Sequence, residues 1–314
     1  MTAANPFLAP KPRPLVTGHR GVPLVEQENT MAAFHRARSL GVPAIELDVM
    51  VTRDEQVVCF HDDDTSRLTG ETGSIRKRTW DQISRLRVQS RLCMGVDADG
   101  RDLWIDYPRP QPIPLLAEVL DEFAGKLAIN IEIKPSSPTW SQRGDGSIVG
   151  EVIREAGAED SVIVTSFDFF KLNALEKTHA ALHSGFTYDD GMFRSLLDWL
   201  MFFPELRSQV TAVEGNQNPE ALLNLVMESN AVGRWIGSTV IGVEHTLLDD
   251  DSVSRLRARG SQAVGTYTLL PLDVRTVRQI ARANSPAEVE RLVALGVDWI
   301  ETDDPERLLE LVAR

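Results

Sequence analysis

The stretch IELDVMVTRDEQVVCFHDD, residues 45–63, decides how this chain folds. Its first half belongs to a β-type run over Ala44–Val51 in which Glu46 and Asp48 stand two apart and so share one face of a strand. Only TRDEQ then separates it from VVCFHD. A parallel partner needs a crossover of about a dozen residues, so the second run is expected to fold back as an antiparallel arm. That return brings His61 to the level of Asp48.

Working outward, β-type runs alternate with helical patterns, which predicts βα units and a parallel sheet. Strands are expected at Leu15–Gly18, Ala44–Val51, 127–134 (LAINIEIK), Val162–Ser166, Leu182–Phe186, Val240–Glu244, Ala263–Thr268 and Trp299–Thr302. A helix is expected to begin near Asn29–Thr30, with Met31, Phe34, Ala37 and Leu40 at helical spacing and Gly41 closing it. Further helices are expected at Leu115–Phe123, near Asp250, Pro286 and Pro305, and through much of 191–234. The tally of eight parallel strands plus an arm predicts a single α/β TIM (β/α)8 barrel over residues 1–314. Residues 63–112, rich in turn residues and without a long periodic pattern, read as an insertion on the barrel mouth rather than a second domain.

In such a barrel, chemistry collects at the C-terminal ends of the strands. The polar residues there are His19 and Arg20, Glu46 and Asp48, His61 and Asp62, Glu132 and Lys134, Ser166, Glu244 and Asp303–Asp304. On the third strand Ile129, Ile131 and Ile133 take one face and Asn130, Glu132 and Lys134 the other. Glu46, Asp48 and Glu132 then converge, and three neighbouring carboxylates repel unless a cation or a shared proton intervenes. Hard oxygen ligands suit one divalent metal, Mg²⁺ or Ca²⁺; the plainer alternative is salt bridging to Arg20 and Lys134. His19 and His61 are candidates for acid and base. Arg20 offers a planar fork to a phosphate, and Lys134 a compact charge.

These residues resemble one family. GHRG at 18–21, ENTMAAFHRARSLG at 28–41, the stretch 45–63, NIEIKP at 130–135, SF at 166–167 and TDDP at 302–305 are similar, in order and spacing, to the glycerophosphodiester phosphodiesterases. The resemblance implies a barrel with an insertion after its second strand and a divalent metal on Glu46, Asp48 and Glu132. It also implies His19 and His61 as the acid–base pair, Arg20 and Lys134 on the phosphate, and Glu28 as an acid near the site. The implied reaction is hydrolysis of a glycerophosphodiester to sn-glycerol 3-phosphate and an alcohol.

Departures from the family pattern are Gln27 where proline is usual and TYTLL at 266–270, which puts Tyr267 in place of tryptophan and Leu270 in place of asparagine. Tyr267 remains a candidate to stack on the glycerol or alcohol group. A helix-like insert, Val274–Ala283, follows it. The apolar segment Met192–Phe203 reads as an outer barrel helix, or alternatively as a lipid-facing lip that would admit lysophospholipids.

Three rival readings remain. Lysophospholipase D or phosphodiester lyase chemistry would use the same residues, the latter with a cyclic phosphate product. A non-catalytic phosphate-binding barrel would not need both histidines beside all three acids. An aldolase-type lysine wants an apolar pocket, whereas Lys134 neighbours Glu132.

Hydrophobic residues at 42% and charged residues at 25% fit a folded globular chain. The formal net charge of -13 disfavours nucleic acid and anionic lipid surfaces as partners, and the family resemblance implies a small-molecule glycerophosphodiester substrate. Cys59 and Cys93 form no disulfide framework or zinc spacing. Residues 1–14 lack an apolar secretory core, and no stretch reaches the length of a membrane span. The expectation is a cytoplasmic protein without stable membrane insertion.

Overall fold

The computed structural model describes residues 5–135, 142–189, 226–276 and 279–314. The strands in chain order are β1 (Leu15–Gly18), β2 (Ala44–Val51), β3 (Val57–Cys59), β4 (Arg87–Val88), β5 (Arg91–Val96), β6 (Asp102–Asp106), β7 (Gln111–Pro112), β8 (Ala128–Ile133), β9 (Val162–Ser166), β10 (Ser184–Tyr188), β11 (Val240–Glu244), β12 (Ala263–Leu269) and β13 (Trp299–Thr302). The main sheet runs β1-β13-β12-β11-β10-β9-β8-β2-β3, and a further β1–β2 pairing closes it. Eight of these strands form a parallel barrel. β3 is the antiparallel arm on β2, with Val49 opposite Cys59 and Val51 opposite Val57.

Two shells of apolar side chains follow from the period of two. Ile45, Leu47 and Val49 of β2 and Ile129, Ile131 and Ile133 of β8 point outward into a large core shared with the surrounding helices. Helix Met31–Ser39 contributes buried Phe34 and Ala37, and the Thr30 side chain caps it by accepting from the Ala33 N–H. Helices Pro286–Leu295 and Pro305–Ala313 both begin with proline, where a missing N–H costs nothing. Inside the barrel, Ala44, Ala128, Ile163, Val240, Ala263 and Trp299 make a separate cluster at the N-terminal end, plugged by Phe7. The Phe7 and Trp299 rings meet edge to face at 5.5 Å. Among the described residues the barrel is therefore plugged below and open at the strands' C-terminal ends.

β10 lies two residues later than the sequence predicts. Leu182 closes a turn on the His179 carbonyl, which postpones extended pairing to Ser184. In the 274–283 insert a 3₁₀ turn, Val274–Thr276, and a short helix, Ile280–Ala283, replace one continuous helix. The 63–112 stretch has a cluster of its own, including Leu68, Ile75, Ile83, Leu86, Val88 and Leu92, onto which Met50, Val58 and Phe60 of the β2–β3 arm pack. It leans on the loop after β1, where Tyr107 donates to the Pro23 carbonyl at 2.6 Å. Gln27 does more there than fill a loop position. Fully buried, it donates from Nε2 to the carbonyls of Arg109 and Gln89, tying the middle and the end of the insertion to the loop after β1.

No helix among the described residues is long and apolar enough to cross a membrane. The segment 192–203, and most of the helical expectation over 191–234, lie outside the described residues.

Candidate active site

The loop after β1 sets the geometry of the mouth. Arg20 adopts a left-handed backbone (φ 56), and Gly21 follows at φ 93 with its Cα so close to Ala33 that a Cβ would fall 2.7 Å from Ala33 Cβ. This turn aims the Arg20 N–H at Glu46 Oε2, 2.9 Å away, and the Arg20 guanidinium at Asp48, 3.2 Å from Nε to Oδ2. Asn29, also left-handed, accepts the Asp48 backbone N–H on Oδ1 and donates from Nδ2 to Asp48 Oδ2 at 2.8 Å.

β2 and β8 pair with Glu46 opposite Asn130 and Asp48 opposite Glu132. Oxygens of Glu46, Asp48 and Glu132 consequently lie within 4.8 Å of one another, with Glu46 and Asp48 each about 1% exposed. Burial pushes the Glu46 carboxyl well up, and Asp48, Glu301 and Glu132 push it further. Asp48 goes the other way: burial opposes its ionisation, but Lys134, His61, Arg20 and His19 outweigh burial and hold it far below the usual range. Such a split is what close carboxylates show when they cannot all carry charge. Lys134 Nζ sits 2.7 Å from Glu132 and 3.2 Å from Asp48. Burial alone would lower the Lys134 ammonium, yet Asp48 and Glu132 raise it, so it stays charged.

The cluster fits a hard cation by two observations. All three donors are carboxylates, and Glu46 Oε1 is buried with no hydrogen-bond partner among the described residues. The salt bridges of Arg20 and Lys134 to these acids are also present, so the two readings of the cluster coexist in one geometry.

Both histidines line the mouth beside it. His19 Nδ1 lies 2.6 Å from Asp303 Oδ1, and His61 Nδ1 lies 2.6 Å from Asp62 Oδ1. Burial lowers the His61 pKa, Arg20 and Lys134 add to that, and Asp48 and Asp62 oppose it. Asp303 is held in turn by the Leu272 N–H at 2.7 Å. Glu28, 1% exposed, accepts Arg20 and takes a two-pronged contact from Arg67 at 2.9 and 2.7 Å. Burial opposes its charge, but Arg20 and Arg67 overcome that and hold it at about 2. Arg67 also donates from Nε to Asp62, so one guanidinium from the insertion braces both Glu28 and the partner of His61.

Several of these residues were invisible as site residues in the sequence: Asn29, Arg67, Asn130 and Glu301. Asn130 was legible only as the inward alternate of Glu132. Glu301 accepts Asn130 Nδ2 at 2.7 Å and Trp299 Nε1 at 3.0 Å on the same oxygen. Burial raises its carboxyl to about 7. Behind Lys134, the buried Lys171 and the insertion's Arg76 both donate to the Lys134 carbonyl, at 2.8 and 3.1 Å, and both pair with Asp145 at 2.8 Å. Tyr267 borders the site, with its hydroxyl committed to the Tyr188 carbonyl at 2.7 Å and its ring edge-on to Phe167. Leu270 is turned away into the main core.

A family model described as the glycerophosphoryl diester phosphodiesterase family matches residues 19–307. The chain is 28% identical over 301 residues to a glycerophosphodiester phosphodiesterase of Caldanaerobacter subterraneus subsp. tengcongensis, covering 96% of this chain and 98% of the relative. Among solved structures it is similar to a putative glycerophosphoryl diester phosphodiesterase from Silicibacter pomeroyi DSS-3, with TM-score 0.69 at 21% identity over 98% of this chain and 96% of that one. It is also similar to an Oleispira antarctica phosphodiesterase solved with the product sn-glycerol-3-phosphate, with TM-score 0.65 at 18% identity over 96% and 98%.

Proposed function

The chain belongs to the glycerophosphoryl diester phosphodiesterase family, a family of hydrolases, and from that premise we propose that it hydrolyses glycerophosphodiesters to sn-glycerol 3-phosphate and an alcohol by metal-assisted acid–base catalysis. The observation that carries this is the cluster of Glu46, Asp48 and Glu132 with two imidazoles at its edge, each held by its own carboxylate.

Glu46, Asp48 and Glu132 would hold one divalent cation, Mg²⁺ or Ca²⁺. When bound, such an ion supplies positive charge against the phosphoryl oxygens and lowers the cost of charge that builds there. The remaining work falls to side chains. Arg20 and Lys134 attract and orient the phosphodiester anion. Each histidine donates Nδ1–H to a carboxylate, which leaves Nε2 as the working nitrogen. His61, kept neutral by burial and by Arg20, suits the base that takes a proton from the nucleophile. His19, backed by Asp303, then protonates the leaving oxygen. Asp62 and Asp303 fix the two rings, and Glu28 fixes Arg20. Tyr267 offers a ring wall to the substrate's carbon skeleton. We take residues 1–314 as one phosphodiesterase domain with 63–112 as part of its mouth.

The test is a panel of glycerophosphodiesters assayed after EDTA treatment, then with Mg²⁺ or Ca²⁺ restored, with products read by phosphorus NMR. We expect metal-dependent release of sn-glycerol 3-phosphate. Absence of turnover with either ion refutes the proposal, and a cyclic phosphate as end product transfers it to the lyase reading.

A further inference from the structure

β8 and β9 pair as far as Glu132 and Thr165, two residues short of Lys134. The Ile133 carbonyl, next in line, accepts from the Ser166 hydroxyl at 2.5 Å. The ladder holds Lys134 itself on one side, where its N–H donates to the Val49 carbonyl at 3.1 Å. Its carbonyl has passed the end of β8, and an enclosed backbone acceptor needs a partner. Two cations supply it. Lys171 Nζ donates to the Lys134 carbonyl at 2.8 Å, and an Arg76 terminal nitrogen does so at 3.1 Å. The same two cations both reach Asp145 Oδ2, each at 2.8 Å. Two donors and two acceptors thus close into a ring behind the lysine.

Resting on the phosphodiesterase reading above, which puts Lys134 on the substrate phosphate, we propose that Lys171, Arg76 and Asp145 are positioning residues: they fix the backbone from which Lys134 reaches the phosphate. Neither cation lines the mouth, whereas Lys134 does. The Lys171 side chain is fully buried and that of Arg76 nearly so. At the other end of Lys134, Nζ is held between Glu132 and Asp48. A misplacement of about 1 Å in such a group costs about 100-fold in rate, so the backbone behind it must not drift.

As packing alone, the arrangement is unfavourable. Lys171 is the third residue of helix Phe169–Thr178, so its charge meets the positive end of the helix dipole. Burial lowers the pKa of its ammonium, Asp145 opposes burial, and Arg76 works with it. An apolar side chain would join the helices without that cost. The ring also gathers three separate segments. Asp145 opens helix Asp145–Glu155, and Arg76 comes from the turn Ile75–Lys77, whose Ile75 is set in the insertion's own core. Gly146 brings the first two together: a Cβ there would fall 1.9 Å from the Lys171 carbonyl oxygen. The insertion is thereby tied to the strand end that carries Glu132 and Lys134. Two cations face one carboxylate, so removing either leaves Asp145 paired with the other.

The experiment measures binding of sn-glycerol 3-phosphate by calorimetry at saturating Mg²⁺ or Ca²⁺, with urea unfolding as the check on fold. Lys171→Met and Arg76→Met are each expected to weaken binding about tenfold, the lower end of what outer contacts contribute to a positioned group. Arg76→Lys keeps a charge and a donor and is expected to stay within about threefold of wild type. In a Lys134→Met background, Lys171→Met and Arg76→Met should each cost less than about twofold, since the group they position is gone. Undiminished affinity in both single variants overturns the proposal, as does a tenfold loss that persists without Lys134. Equal losses in Arg76→Lys and Arg76→Met assign the effect to packing and overturn it too. Should Lys171→Met fail to fold, or the Lys134 variant bind too weakly to read, the two Arg76 variants decide. Because binding is the readout, absence of turnover in the substrate panel sinks the hydrolytic reading alone. Turnover with unaltered binding in the variants sinks the positioning ring alone.

Discussion

Replacing Glu28 by glutamine tests the electrostatic frame of the mouth. The carboxylate is 1% exposed and carries Arg20 on one side and the Arg67 fork on the other. Its pKa falls from an ordinary 4.5 to about 2 in the folded protein. At about 1.4 kcal/mol per pH unit that gap is worth about 3 kcal/mol of folding stability. Removing one member of a buried ion pair costs a similar amount, about 3–5 kcal/mol; Arg67 is partly exposed and solvent screens its share, which favours the lower figure. Because the folded value is depressed, the contribution is complete above pH 4.5 and fades as pH falls towards 2. Urea unfolding of wild type and Glu28→Gln at pH 7 should therefore differ by about 3 kcal/mol, with the difference shrinking steadily between pH 5 and pH 3 in the same buffers. A difference below about 1 kcal/mol at pH 7, or one that does not change on acidification, refutes the claim that Glu28 works as a buried anion between two guanidiniums.

Three further outcomes follow from the same geometry. His19→Ala and His61→Ala should each lower kcat by about 100-fold or more, the range of acid–base contributions, while calorimetry shows metal affinity retained; loss of metal binding instead would make them ligands. Asp303→Asn and Asp62→Asn should cost about 10–100-fold in kcat by releasing ring orientation, and unchanged rates would show that the rings are held otherwise. The acid limb of kcat/KM should lie below pH 6.5, because burial and Arg20 lower the pKa of His61 and preserve its neutral form into mild acid; a limb above 6.5 would give the base role to another group.

The sequence alone determined what depends on neighbouring residues. A period of two puts Glu46 with Asp48 and Asn130 with Glu132 on inward faces whatever the rest of the chain does. The brevity of TRDEQ leaves no topology but an antiparallel return, and β3 pairs that way. Alternating strands and helices dictated the barrel, whereas the left-handed backbone at Arg20 and Gly21 appears only in the structure.

Only the closed barrel decided the rest, because those contacts join residues that local spacing cannot relate. His19 finds Asp303 across 284 positions, and Asn130 finds Glu301 across 171. Arg67 lies in an irregular insertion without periodicity, so nothing in its surroundings announces that it braces Glu28. Likewise the split ionisation of Glu46 and Asp48 comes from burial and from charges on four different segments, quantities that exist only once the chain has enclosed them. Sequence periodicity chooses which side chains face inward; chain closure chooses what they meet there.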